Sequence, residues 1–544
     1  MLKIIEHYPR TVIICIVLLM LGVSFQFLEV TIMEARNFIT AREMISDGNW
    51  VMTTMNGGPR YQKPPLPTWF TAMFGMLFGI KNVFALRIPG ILMLIAIGIT
   101  ARRFSLLILK NELHAFINAL ITITTFYLIA IIIEGPWDIF AHGFMYLAIY
   151  HLFNLFQKQS KYWNHVLMAG IFIGFSILCK GPVSLYALFL PFLIAYGVVY
   201  KYKGFKTKWF TAIAVLFLAL WVGASWYTYV RVADPETFLK IASKETGNWS
   251  SYNVRPFYYY WSFFTQTGLW TIPAFISLLY PYLKTRVSNL KAYKFTLLWT
   301  LLAVFLLSVI PEKKSRYLVP VLIPLALNTG FYIEYLIRQF KPIKDWRETY
   351  PVYFNFGLIG LVCIAFPFIG FFLGPFLTGW PLIQFIIASI VLLGIGISIF
   401  LSLKRKQFRL TFYFYIAFMV AVFVFVSPIA KLQGQPGYNP VSNLKAETES
   451  QGLKVYTLGG VSPEIIWQFG DKLKSIKTSE NGLQFPDEDT FGLLVQSLSD
   501  KDKALLSEQY TMTLKEHFDL NTASKDSRNY RDRLTNDYYI LTKK

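Results

Sequence analysis

The chain has 544 residues, of which 55% are hydrophobic and only 15% charged. This balance excludes an ordinary soluble globular protein and reads as an integral membrane protein. The formal net charge of +21 would suggest nucleic acid in a soluble chain; in a membrane protein it fits basic residues gathered in cytoplasmic loops.

The N-terminus is basic, and the run 11–30 is about long enough to cross a bilayer. It lacks a small-residue cleavage pattern, so it reads as a first span rather than a signal peptide. Further apolar runs follow at about 84–101, 113–133, 138–156, 163–179, 182–200, 209–227, 263–283, 296–310, 317–337, 353–374, 382–403 and 410–430, which makes thirteen candidate spans. Charge bias decides the status of 66–80. If it does not cross, one set of alternate loops collects Lys3, Arg10, Arg102, Arg103, Lys110, Lys158, Lys161, the lysines of 201–208, Lys284, Arg286, Arg338, Lys341 and the bases of 404–409. Those loops must then face the cytoplasm, and 66–80 is expected as a juxtamembrane or re-entrant helix sheltered by protein. The cysteines Cys15, Cys179 and Cys363 lie in apolar runs at no metal-binding spacing.

This topology places the N-terminus in the cytoplasm and the segments 31–82, 134–138, 228–262 and 311–317 outside, with the C-terminus. The polar first loop divides into parts. Residues 33–46 carry Ala35, Phe38, Ile39, Met44 and Ile45 on a helical stripe that Asp47-Gly48 ends, as expected of a helix lying in the interface, apolar face down. Asn56-Gly57-Gly58-Pro59 is a turn. Tyr61-Gln62-Lys63-Pro64-Pro65 is stiff and extended, because successive prolines exclude helix, and it can hold one lysine in a defined place. Past about 430 the composition turns polar. Strands are expected at 454–460, 490–496, 511–518 and 537–542, with helices capped by Ser462 and Ser499, giving a small α/β domain from 432 to 544 after a membrane portion from 1 to 431.

Several charges stand out against the apolar background. Asp138 sits at a span start, where it serves either the helix dipole or a pair of outer-face carboxylates with Glu34. Lys180, before Gly181-Pro182, is either a functional lysine at membrane depth or one that snorkels to the interface. Lys63, Lys313, Lys314 and Arg316 break the inside bias locally, by scatter or to hold an anionic ligand. No histidine lies between His165 and His517, so the later outer loops offer oxygen ligands. Zinc does not suit them, and a divalent cation, if one is held, is expected to be magnesium.

The blocks EARNFITAREMISDGNW, NGGPRYQKPPLPTWF, LCKGPV and KKSRYLVPVLIPLAL, in that order, resemble the membrane-embedded GT-C glycosyltransferases. Within these the chain is most similar to the branch of the lipid A aminoarabinose transferases and protein O-mannosyltransferases, over about residues 1–430. The resemblance implies an α-helical polytopic fold of about 13 spans with an extracytoplasmic α/β domain. It implies an inverting transfer of a sugar from a polyprenyl-phosphate donor to a lipid A-type or protein acceptor, at the outer face of the inner membrane. The family's first-loop Asp-Glu-x-Arg reads Met33-Glu34-Ala35-Arg36 here, and its Glu-Lys-Pro reads Gln62-Lys63-Pro64. Glu34 and Asp138 are thus the expected catalytic carboxylates. Arg36, Lys63, Arg316 and Tyr317, with Lys180 and Lys313 behind them, are the expected contacts to the donor phosphate, whose developing charge fixed cations would stabilise. A transporter or flippase of lipid-linked sugars is the rival reading, since many spans with charges suit it too.

Overall fold

Long apolar runs become helices because a helix satisfies every backbone hydrogen bond within its own segment, as the bilayer interior requires. The computed structural model describes residues 2–158, 160–202, 205–374, 377–430, 437–479 and 482–544. Among these, nine helices are long and apolar enough to cross a membrane, the first being Val83–Leu109 and the last Phe408–Ile429. A tenth candidate, Glu112–Ile123 with Phe126–Glu134, is bent by 41°. The break falls at Thr124-Thr125, and the Thr124 hydroxyl bonds back to the Leu120 carbonyl at 2.6 Å.

The thirteen expected spans are therefore not all uninterrupted helices. Pro9–Ser24 and Leu185–Tyr200 are shorter apolar helices. The run expected as one span at 263–283 is broken into Phe263–Trp270, Thr271–Ser277 and Tyr280–Leu283. Its kink is at Gly268, with φ 69° and ψ −117°. A Cβ there would stand 2.5 Å from Cβ of Phe126, so both the backbone and the space demand glycine. Leu66–Phe78 is a helix of 13 residues, about 20 Å long, and too short to cross a core of about 30 Å.

The described residues form two compact units. The first comprises Met1–Leu28, Tyr61–Phe70 and Val83–Leu432; the second comprises Glu29–Arg60, Thr71–Asn82 and Gln433–Lys544. The sequence reading kept 31–82 with the membrane portion, whereas most of that loop clusters with the C-terminal residues. The expected boundary at 431/432 falls in 431–436, outside the described residues.

In the first unit, buried polar side chains bond across helices, as they must where lipid offers no partner. Asn328 Nδ2 donates to the Ser277 carbonyl at 2.9 Å, its Oδ1 accepts from Thr296 at 3.0 Å, and the Trp270 indole donates to Thr124 at 2.9 Å.

The second unit is built on a five-stranded sheet in the order Lys474–Ser475, Val455–Thr457, Thr490–Val495, Thr535–Lys543, Tyr510–Asp519. The first three strands are parallel; Thr535–Lys543 runs antiparallel to both its neighbours, pairing Leu493 with Tyr539 on one side and Thr513 with Ile540 on the other. Ser499 caps the helix Asp500–Gln509 by accepting from Asp502 N, as its spacing suggested, while Ser462 precedes Pro463–Phe469 without a side-chain cap bond. One face of the sheet buries Val441, Leu444, Ile465, Phe469, Leu494, Phe518 and Tyr538, and Ile39 of the first loop is part of the same core. The stripe on the helix Ile32–Asp47 thus meets protein: Phe38 also packs against Trp467, with ring centroids 5.2 Å apart, and Arg42 donates to the Ile466 carbonyl.

Candidate active site

Two membrane helices of the first unit bring a carboxylate and an ammonium together. Pro136 at the first turn and Asp138 just after it suit the start of Pro136–Gln157, where the helix dipole favours a negative charge. Lys180 ends Trp163–Lys180, where the dipole favours a positive one. Gly181 then adopts φ 72° and ψ −152°, a conformation that belongs to glycine. The helices are tied by Ser176, which donates to the Ala141 carbonyl at 2.7 Å. Asp138 and Lys180 form a close ion pair with both side chains almost wholly buried. Asp138 thus has a lysine as its partner, where the sequence left open a second carboxylate or the dipole alone.

Around this pair lies a cluster of aromatic and charged groups. The Lys180 ammonium sits 5.0 Å from the centre of the Tyr317 ring. The Tyr317 hydroxyl donates to Glu312 Oε1 at 3.0 Å, and Lys314 reaches the same oxygen at 2.6 Å. Lys314 also lies over the ring of Tyr252, 4.7 Å from its centre. Backbone pairing holds this arrangement: Val254 and Glu312 form an antiparallel bridge, and Lys313 N donates to the Asn253 carbonyl at 3.1 Å. Arg316 stacks beside Tyr317, its guanidinium carbon 5.9 Å from the ring centre.

Lys63 follows Tyr61, whose hydroxyl donates to Asp234 at 3.1 Å, and pairs with Glu245 of the helix Pro235–Ser251 at 3.7 Å. Burial, with the positive charge of nearby Lys180, pushes its ammonium down to about 8, against the pull of Glu245 and Asp138. Lys63 therefore shares the electrostatic field of the Asp138–Lys180 pair and of Arg316.

Adjacent Lys313 is used differently from the sequence expectation. Its ammonium, 3% exposed, donates to the carbonyls of Ile310 at 2.5 Å and Arg255 at 3.1 Å. It staples the two loop segments, and Lys314 is the neighbour that turns to Tyr317. Glu34 and Arg36 lie in the second unit. Glu34 closes a capping box with Thr31 at the start of Ile32–Asp47, its Oε2 accepting from Thr31 N at 3.1 Å.

Sequence reasoning missed His142, Ser184, Glu312, Glu245 and Tyr252. His142 was findable, since it lies one turn after Asp138 and so on the same helix face. Its Nε2 is 3.8 Å from Asp138 Oδ1, and its Nδ1 is 2.9 Å from the Ser184 hydroxyl.

The arrangement suits an anionic ligand. Four cations, Lys63, Lys180, Lys314 and Arg316, stand among the carboxylates Asp138, Glu312 and Glu245, which can exchange places with a phosphate as counter-charges. Lysines neighbour Asp138, position 62 is an amide, and among the described residues no three of His, Cys, Asp or Glu come together as a metal site.

Comparison with known proteins bears on the class. Residues 62–227 match the family model for dolichyl-phosphate-mannose-protein mannosyltransferase. The chain is 24% identical over 345 residues to undecaprenyl phosphate-alpha-4-amino-4-deoxy-L-arabinose arabinosyl transferase 1 of Proteus mirabilis, covering 61% of this chain and 60% of that protein. It is 24% identical over 346 residues to the corresponding transferase of Aeromonas hydrophila, with 61% and 60% covered. The match thus spans about 60% of the length of these relatives. The fold resembles the crystal structure of ArnT from Cupriavidus metallidurans bound to undecaprenyl phosphate, with a TM-score of 0.70, 14% identity and 97% of both chains covered. The apo state of that protein gives 0.68.

The fold is thus shared with that ArnT structure along nearly the whole of both chains. With nine helices among the described residues long and apolar enough to cross a membrane, the chain reads as a multi-pass membrane protein, and over part of its length it is similar to the aminoarabinose transferases and to the protein mannosyltransferase family model.

Proposed function

We propose that the protein transfers a sugar from a polyprenyl-phosphate donor to a lipid A-type acceptor at the outer face of the inner membrane, with inversion at the anomeric carbon. In this reading the N-terminus is cytoplasmic and the C-terminal sheet unit periplasmic. The observation that carries it is the cationic cluster of Lys63, Lys180, Lys314 and Arg316 around the buried Asp138 and Tyr317. The names of the relatives support undecaprenyl phosphate as the carrier and 4-amino-4-deoxy-L-arabinose as the sugar.

An acceptor oxygen attacks the anomeric carbon as its bond to the donor phosphate breaks, and the electron pair leaves with that phosphate. Cations already in place stabilise the leaving phosphate monoester, which gains a negative charge, more than the singly charged phosphodiester of the ground state, which is what lowers the barrier. Lys63, Lys180, Arg316 and Tyr317 are the proposed phosphate contacts, with Lys314 added and Lys313 withdrawn. A phosphate acceptor arrives ionised and needs no base; a hydroxyl acceptor would need one, for which Asp138 is the buried candidate. Glu34 and Arg36 are carried on the sequence resemblance. The relatives described above are transferases, which gives the flippase reading no support.

The test uses purified protein in lipid nanodiscs with undecaprenyl phosphate-linked aminoarabinose and lipid A, read by mass spectrometry. One added sugar mass on lipid A is expected. Removing one partner of a buried ion pair costs about 3–5 kcal/mol, so Asp138→Asn is paired with Lys180→Met to remove both charges. If this double variant and Lys63→Ala both transfer at the normal rate, the site is misassigned. If, in sealed proteoliposomes, labelled lipid-linked sugar crosses the bilayer with no product formed, the flippase reading takes over.

A further inference from the structure

We infer that His142 and Ser184 are positioning residues for the Asp138–Lys180 pair, an inference that rests on reading that pair as part of the transfer site. His142 is 1% exposed and lies one helical turn beyond Asp138. Its two ring nitrogens face different partners: Nε2 is 3.8 Å from Asp138 Oδ1, and Nδ1 is 2.9 Å from the hydroxyl of Ser184. Ser184 is itself buried and stands four residues after Lys180, just past the Gly181 turn. The imidazole therefore braces the helix that carries Asp138 against the segment that carries Lys180 onward.

The chemistry selects one tautomer. An ionised carboxylate only accepts, so a nitrogen lone pair aimed at Oδ1 would be repelled. The hydrogen of a neutral ring therefore sits on Nε2, leaving Nδ1 to accept from the Ser184 hydroxyl. The Ser184 hydroxyl, which can donate or accept, serves that tautomer by donating to Nδ1 and fixes the ring plane. Oδ1 of Asp138 then takes the Lys180 ammonium in its ion pair and faces the imidazole N–H dipole across 3.8 Å. Oδ2 lies on the side of Gly135, where a Cβ would approach it to 2.6 Å. The ammonium on Oδ1 and the N–H dipole facing it together favour one orientation of the carboxylate. A loose Asp138 would let Lys180 follow it, and the cation that meets the phosphate would lose its place.

The experiment compares His142→Leu, His142→Gln, Ser184→Ala and Ser184→Thr with the Asp138→Asn/Lys180→Met double variant, using undecaprenyl phosphate-linked aminoarabinose and lipid A. His142→Leu is expected to lower kcat about tenfold to a hundredfold, the usual size for a residue that orients a working group, with donor KM changed less than about threefold. His142→Gln, whose amide nitrogen can replace Nε2–H, is expected to recover most of kcat. Ser184→Thr should behave as wild type and Ser184→Ala should lose activity. In protein with 15N-labelled histidine, the resonances that vanish in His142→Gln should show a protonated Nε2, and Ser184→Ala should shift the Nδ1 resonance through loss of its hydrogen-bond donor. Ser184→Ala carries the test if His142→Leu does not fold. Full kcat in both His142→Leu and Ser184→Ala, with the double variant inactive, overturns the inference alone; so does a wild-type ring protonated at Nδ1. Full activity in the double variant overturns the site reading beneath it.

Discussion

At Lys63, burial and a neighbouring cation oppose the ionised form while Glu245 and Asp138 favour it, and the first pair prevails, setting the ammonium at about 8. A lysine lowered in this way is charged below that pH and neutral above it. The capacity to meet a donor phosphate is therefore present near neutrality and lost as pH rises through about 8. We expect kcat/KM for the donor to fall between about pH 7 and about pH 9 in the wild type, since this ratio reports the free enzyme. In Lys63→Arg the fall should vanish, because a guanidinium stays protonated; a flat wild-type profile would count against the assignment. Lys313 and Lys314 give a second contrast. Lys313→Met leaves two carbonyls unserved and should cost about 1.5–3 kcal/mol of stability, the usual value for hydrogen bonds to a charged group, read by thermal unfolding. Lys314→Met should instead weaken undecaprenyl phosphate binding with a smaller loss of stability. These two adjacent lysines look alike in the sequence. What separates them is the bridge of Val254 with Glu312, a pairing across 58 residues that no local pattern reports.

Helices and strands were legible where one signal dominates. The strand expected at 490–496 and the Ser499 cap recur as Thr490–Val495 and Asp500–Gln509. The short run at 66–80 was assigned by loop charge and is a 13-residue helix. The run 263–283 misled because hydropathy sees composition but not the left-handed backbone at Gly268, and its break is set by Phe126 packing from another helix. Gly268→Ala should therefore cost about 1–3 kcal/mol from strain and overpacking, visible as a lowered unfolding midpoint in detergent. An unchanged midpoint would mean that the kink is not enforced there. Asp138 and Lys180 could each be picked out as charges at helix ends. Their pairing, and the imidazole beside them, depend on how two helices face each other, which periodicity leaves open.

On the scale of the whole molecule, the chain does not divide at one point. Residues Glu29–Arg60 cluster with Gln433–Lys544, and Ile39 is wholly buried among Val441, Leu444 and Ile465. The apolar stripe of that helix was legible, but both lipid and a distant sheet satisfy such a stripe, and sequence alone favoured lipid. Ile39→Ala should destabilise the second unit by about 2–5 kcal/mol, as large-to-small core changes do. A fragment of 433–544 should unfold at lower temperature than the same fragment with a 29–60 peptide supplied; equal midpoints would show that the helix is dispensable to that core. The same feature has a consequence in time. About 390 residues separate Asp47 from Val441, the first C-terminal residue of that core. At about 5–20 residues per second of synthesis, the ribosome needs about 20–80 seconds to cover them. For that interval Phe38 and Ile39 have no Trp467 or Val441 to meet, so the young chain must shelter them on the bilayer surface or a chaperone, and release them once the last strands are made.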